Sequence, residues 1–244
     1  MIGLMASNRD ISIDDCLKTE LAAYPPSLFD EEGNMRVTVK SKLKTALEVT
    51  ISGRLSHQPD TLIYDVSAVL WTINWPTEGS PLSVCIKAFT VFVLNALRIA
   101  NTVLVFDRYY TNSTKAHTRQ IRQEKQGVSR THVLKPDMQT PSKKSILGVP
   151  KNKEQLNKML ADALLEPQFF ETATHNGHTL TLAGVEDAPM EITHGIKINR
   201  HDLSSSHEEA DLIIAQHAIF ASSNNQSVAV ISDDTDVFAL LLHF

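Results

Sequence analysis

Cysteine is nearly absent. Cys16 and Cys85 are the only two in 244 residues. They form no CxxC pair, which excludes a disulfide framework and thiolate zinc sites and points to a reducing compartment. No apolar run reaches the ~20 residues of a membrane span, and the longest, Val84 to Leu97, is interrupted by Lys87 and Asn95. No secretory leader is expected, because Arg9, Asp10, Asp14 and Asp15 precede any long apolar stretch. GxSxG, Walker A and GxGxxG motifs are missing as well, so none of the familiar nucleophile or phosphate-loop signatures is available.

What remains is an ordinary globular composition, 42% apolar and 21% charged, on a chain long enough to bury a substantial core. A net charge of −5 argues on its own against a nucleic-acid partner, but the charge is unevenly spread. Arg108 to Lys153 holds eleven Lys and Arg against two acids, whereas Glu154 to the end holds three against fourteen. A basic middle beside an acidic last third suits a phosphate-gripping surface next to a cation site. Basic helices that are merely solvated would look the same.

Along the chain, residues 1–58 read as an N-terminal extension. Tyr24-Pro25-Pro26-Ser27 breaks it, Glu31-Glu32-Gly33-Asn34 makes a turn, and 36–56 is expected to be strand or irregular. The core begins near residue 59. Strand 61–65 precedes a helix from Val66, residues 82–100 have helical spacing, and strand 102–106 follows. Residues 113–126 form a polar, basic helix with almost no apolar face, followed by a long connection over 127–152 and a helix from Glu154 to Leu165. A β-hairpin insert is expected at 175–200, its strands being 178–185 and 191–198. Ser206 and Glu209 fit a capping box opening a helix to about Ala221, and strand 228–232 closes the set. Strands alternating with helices imply an α/β fold with a mostly parallel central sheet and helices on both faces. Trp71 and Trp75, spaced one helical turn apart, read as core. The apolar end Phe238–Phe244 is expected to need a cover from a longer polypeptide.

Three of these strands empty onto acids. Thr61–Tyr64 runs into Asp65, Thr102–Phe106 into Asp107, and Val228–Ile231 into Ser232-Asp233-Asp234-Thr235-Asp236. The start of the helix at Glu208-Glu209-Ala210-Asp211 adds more carboxylates. Carboxylates packed at the C-terminal end of a sheet repel one another and persist where cations or full solvation hold them. Hard divalent cations such as Mg²⁺ or Mn²⁺ take oxygen donors, and a pair of them can drive phosphodiester hydrolysis. Taken singly, each acid has a bland alternative as a turn, cap or ion-pair residue. Tyr109 and Tyr110, directly after Asp107, suit either packing or stacking on a base.

The order of these motifs resembles the metal-binding signature of the flap endonuclease group of 5′-nucleases within the PIN-like fold. The resemblance covers roughly residues 60–244. It implies a PIN-like three-layer nuclease domain over 59–244, with Asp65, Asp107, Glu209, Asp211, Asp234 and Asp236 as ligands of two Mg²⁺ or Mn²⁺ ions. It also implies an arch-like basic segment over 108–153, in which Lys115, Arg119 and Arg122 contact the scissile phosphate. Arg108, Lys125 and Arg130 join these three as expected contacts to DNA or RNA. Several features depart from that pattern: the long extension before the first strand, Asp211 in place of a Glu, and the unmatched stretch from Arg130 to Asp202. An intracellular location, the nucleus included, follows from the same reading. The rivals are a nucleic-acid-binding or regulatory protein with an inactive site, and a haloacid dehalogenase-type phosphatase read from Asp234-Thr235-Asp236-Val237. The latter motif normally follows the first strand of its domain, whereas here it follows the last.

Overall fold

The computed structural model describes residues 29–30, 32–36, 42, 45–46, 57–77, 79–109, 130–173, 177–207, 209–224 and 226–243. The chain divides into two compact units, 1–50 and 51–244. In the first, Phe29 pairs with Met35 across a turn in which Asp30 Oδ1 accepts the Asn34 N–H at 2.7 Å. This is the turn expected from Glu31–Asn34. Lys42, Thr45 and Ala46 are helical rather than extended.

The second unit carries the sheet. Its strands are β1 (Thr61–Asp65), β2 (Asn101–Val105), β3 (Leu180–Ala183), β4 (Met190–Thr193), β5 (Ile196–Asn199) and β6 (Val228–Ile231), in spatial order β5-β4-β3-β2-β1-β6. β3, β2, β1 and β6 run parallel, and β4 and β5 turn back antiparallel at one edge. The described helices are α1 (Val66–Thr72), α2 (Ser83–Leu97), α3 (Lys143–Leu147), α4 (Pro150–Leu164), α5 (Pro167–Ala173), α6 (Ala210–Ser223) and α7 (Thr235–His243).

The layering follows from alternation along the strands. Leu104 and Phe106 on β2 and just beyond it, with Leu180 and Leu182 on β3, point to one face and pack under Phe89, Leu97, Leu156 and Leu160 from α2 and α4. Ile63, Val103, Val105 and Ala183 point to the other face, beneath Ile213, Ile214 and Ala218 of α6 and Val237 of α7. Helices on both faces of a mostly parallel sheet make the α/β three-layer arrangement expected from the sequence. No described helix is long and apolar enough to cross a membrane.

Several boundaries differ from the sequence reading. Residues 178–198 hold three strands rather than two. His194 (φ 47) and Gly195 (φ 75) form a two-residue turn between Thr193 and Ile196, cutting the expected second strand in half. β3 is also not an insert, because it pairs in parallel with β2 inside the central sheet. α4 starts at Pro150, not Glu154, with proline in the first turn where its missing N–H costs nothing. The capping box does not form: Glu209, not Ser206, is the cap of α6, and no side chain caps it. Trp71 is exposed rather than core. The Trp75 indole donates to the Pro141 carbonyl at 3.0 Å, and Lys143 Nζ lies 5.9 and 5.8 Å from the two rings.

Candidate metal centre

The parallel register brings the acids together. Asp65 is the last residue of β1 and pairs with Val105, so Asp107 lies two residues past the same edge. β6 pairs Ile231 with Tyr64, which delivers Ser232 to Asp236 to that edge as well. α6 precedes β6 in the chain and runs back along the sheet, so its first turn, with Asp211, falls there too. Carboxylate oxygens of Asp211, Asp234 and Asp236 lie within 4.8 Å of one another.

Local geometry fixes each acid. Asp65 caps α1, its Oδ1 accepting the Ser67 N–H at 2.8 Å. Ser232 Oγ donates to Asp65 Oδ2 at 3.4 Å and accepts the Asp234 N–H at 3.2 Å, which ties the β1 and β6 ends. Asp234 Oδ1 in turn accepts the Asp236 N–H at 3.0 Å. Asp107 Oδ2 accepts from Ser67 Oγ at 2.7 Å and from Lys153 Nζ at 2.8 Å.

The electrostatics reflect crowding. Burial pushes the Asp211 carboxyl up to about 6, and the charges of Asp234, Asp65, Asp107 and Asp236 push in the same direction. Burial also raises Asp65, helped by Asp107 and opposed by the Ser67 N–H. Five acids therefore feel one another at one edge of the sheet. Oxygen donors of this kind, held close to one another, fit a hard divalent cation.

The chain matches no known protein family, curated protein or solved structure. The chemistry of the centre is therefore read from its own donors.

The structure thus brings together Asp65, Asp107, Asp211, Asp234 and Asp236 from the expected ligand set. Glu209 sits at the cap of α6, outside the tight trio. Lys115, Arg119, Arg122 and Lys125, expected on the basic helix, lie outside the described residues. Arg108 is not placed to grip a phosphate. It is buried and donates to the carbonyls of Gly184, Glu186, Ser205 and His207, with Asp187 Oδ1 at 3.5 Å, so it braces the loops after β3 and before α6. Arg130 is exposed, and its carbonyl accepts from Asn152 at 2.9 Å. His132 and His178 have structural partners, Ser145 Oγ at 3.1 Å and the Leu97 carbonyl at 2.6 Å.

Lys153 is the residue that sequence reading passed over. It lay one position before the expected start of its helix and was counted only as one charge in the basic middle. Burial disfavours its charge, but Asp107 and Tyr109 together, by charge and by hydrogen bond, more than offset this. Lys153→Met leaves Asp107 without its cation among other acids. Loss of one partner from a largely buried pair costs about 3–5 kcal/mol. With Asp107 23% exposed, the expected loss in the metal-free protein is about 1–3 kcal/mol. Urea melts at pH 7 with and without Mn²⁺ check this. A cation held by Asp107 should restore most of the loss, and equal losses in both conditions would rule out a shared site.

Proposed function

We propose that this protein is a metal-dependent nuclease of PIN-like type, hydrolysing phosphodiester bonds of DNA or RNA with Mg²⁺ or Mn²⁺. The observation that carries the reading is the meeting of Asp211, Asp234 and Asp236, their carboxylate oxygens within 4.8 Å of one another at the C-terminal edge of a parallel sheet, where burial and the neighbouring carboxylates raise the Asp211 carboxyl to about 6. Stored repulsion at a ligand-bearing edge destabilises the fold, and a divalent cation turns it into affinity. Asp211, Asp234 and Asp236 would hold one ion, and Asp65 and Asp107 would contribute to a second. When bound, such ions supply Lewis acidity toward a phosphoryl oxygen and counter-charge for the leaving oxygen.

The chain's own groups do the rest. Ser67 and Ser232 orient Asp107 and Asp65. Lys153 pairs with Asp107 and supplies a positive charge beside the centre. Lys115, Arg119 and Arg122 are the candidates for charge stabilisation on the transferring phosphate, and Lys125 and Arg130 for contacts to the backbone.

One observation favours a rival, a nucleic-acid-binding or regulatory protein with an inactive site. Lys153 already neutralises Asp107 from within, as an internal cation can in a centre that has given up metal. The deciding experiment is cleavage of end-labelled single-stranded, flap and hairpin DNA and RNA in Mn²⁺ or Mg²⁺, with Asp234→Ala alongside. Metal-dependent cleavage abolished in the variant is expected. Binding that persists in EDTA with no cleavage in metal would install the rival. Rapid hydrolysis of a generic phosphomonoester would point instead to a phosphatase.

A further inference from the structure

The five gathered carboxylates are not equivalent. Asp234 and Asp236 are exposed and Asp211 is half-buried, with their oxygens close together. Asp65 and Asp107 lie deeper and are engaged by donors of the protein itself. Asp65 Oδ1 accepts the Ser67 N–H at 2.8 Å. Asp107 Oδ2 accepts from Ser67 Oγ at 2.7 Å and from Lys153 Nζ at 2.8 Å, which occupies both lone pairs of that oxygen. A cation therefore sits at the Asp107 end of the centre from the outset, and it belongs to the chain.

A fixed backbone delivers it there. Asn152, the preceding residue, is buried, and its side chain accepts the His132 N–H at 2.8 Å and donates to the Arg130 and Ser145 carbonyls at 2.9 Å each. These bonds pin the first turn of α4, and Leu156 and Leu160 seat the helix in the core. Only the four-carbon stem of Lys153 is left to move, and that side chain is 15% exposed. Its charge survives such burial because Asp107 and Tyr109 support it.

An ammonium and a divalent cation make the same demand on a carboxylate. Each takes an oxygen at contact distance, and like charges sharing one oxygen away from bulk water repel strongly. One must withdraw before the other binds. The cluster of Asp211, Asp234 and Asp236 contains no such internal rival within its trio of oxygens.

We propose that Lys153 is a built-in competitor for the second divalent cation: the centre takes one ion at Asp211, Asp234 and Asp236, and a second only when the Lys153 ammonium swings off Asp107. The proposal rests on the metal-centre reading and makes two-ion occupancy a matter of cation concentration. Mn²⁺ is titrated into metal-free protein and followed by calorimetry and by electron paramagnetic resonance of the unbound ion. Wild type, Lys153→Met, Lys153→Gln and Lys153→Arg are compared. Wild type is expected to bind one Mn²⁺ and to take a second at least about tenfold more weakly. Lys153→Met should tighten the second by at least about tenfold, and Lys153→Arg should keep it weak. A gain of binding cannot come from unfolding, so it separates competition from a merely structural role. If Lys153→Met fails to fold, as a thermal melt reveals, Lys153→Gln carries the test, since it keeps an N–H toward Asp107 without the charge. Two ions of equal affinity in wild type, or a second site unchanged in the folded Met and Gln variants, would overturn the competitor. Cleavage of end-labelled strands across the same Mn²⁺ series tells the two readings apart. Competition without cleavage would retain the competitor and remove the nuclease. Cleavage with two equal ions in wild type would do the reverse, and no bound Mn²⁺ in wild type would remove both.

Discussion

Asp211→Asn should move two measurements in opposite directions. In EDTA at pH 7 the variant should be more stable than wild type, and in Mn²⁺ it should bind metal and cleave at least about 100-fold less well, since even residues that only orient metal ligands cost 10–100-fold. The first effect follows from linkage. The folded chain holds the Asp211 proton up to about pH 6, whereas an unperturbed carboxyl releases it near 3.8. Between those values the folded state binds more protons than the unfolded one, so the stability of the metal-free protein falls as pH climbs from about 4 to 6 and stays low above. The full linkage value of ~3 kcal/mol is reduced by solvent screening to about 1–2 kcal/mol, because Asp211 is not fully buried. Asparagine cannot ionise and escapes this cost at pH 7. It also lacks the charge a cation needs, so the Mn²⁺-induced rise in Tm expected for wild type above pH 6 should be largely absent. Melting both proteins from pH 4 to 8, with EDTA and with Mn²⁺, checks every part of this. A variant less stable than wild type in EDTA would mean that Asp211 is a structural acid.

Gly184→Ala should be the most damaging single methyl in the sheet. Gly184 has φ +81, and a Cβ placed there would lie 2.0 Å from the Phe106 carbonyl oxygen. That oxygen is backbone, on the strand end whose N–H donates to the Ala183 carbonyl at 2.9 Å, so relief requires β2 and β3 to part. Loss of about 3–5 kcal/mol is expected from strain and broken pairing together, or a fall in Tm on the order of 10 °C. Asp107 is the residue after Phe106, so metal affinity should fall even where the variant remains folded. Gly195→Ala is the control. Gly195 also has positive φ, +75, but nothing lies within 4 Å of its added Cβ, so the cost should be only about 1 kcal/mol. Similar losses for the two would show that φ alone, not the close approach, sets the penalty.

Most of the acids were legible because they follow an apolar strand that stops abruptly, and parallel pairing then places the strand ends at one edge. Asp65, Asp107, Asp234 and Asp236 needed no more than that, whereas Asp211 was legible from the run of acids that opens its helix. Arg108 was misread because charge says nothing about partners, and it is backbone carbonyls from two distant loops that claim its guanidinium. Lys153 was hidden by a proline. Pro150 reads as a breaker, yet at the start of α4 it is a helix opener, and the four-residue error in the boundary removed Lys153 from view. The His194-Gly195 turn lacks the Asn-Gly or Asp-Gly pair that announces such turns, so β4 and β5 merged into one strand.

The chain has two tryptophans, Trp71 in the last turn of the helix that Asp65 caps and Trp75 just after it, with the Lys143 ammonium about equally far from each ring. An indole's emission responds to a nearby charge and to the wetness of its surroundings, and Trp71 is more than half exposed. Any shift of α1 that accompanies a change at its capping carboxylate alters the spacing of that lysine from the rings. A change at the capping carboxylate that moves α1 would therefore be read in the tryptophan emission of unlabelled protein, with no substrate present.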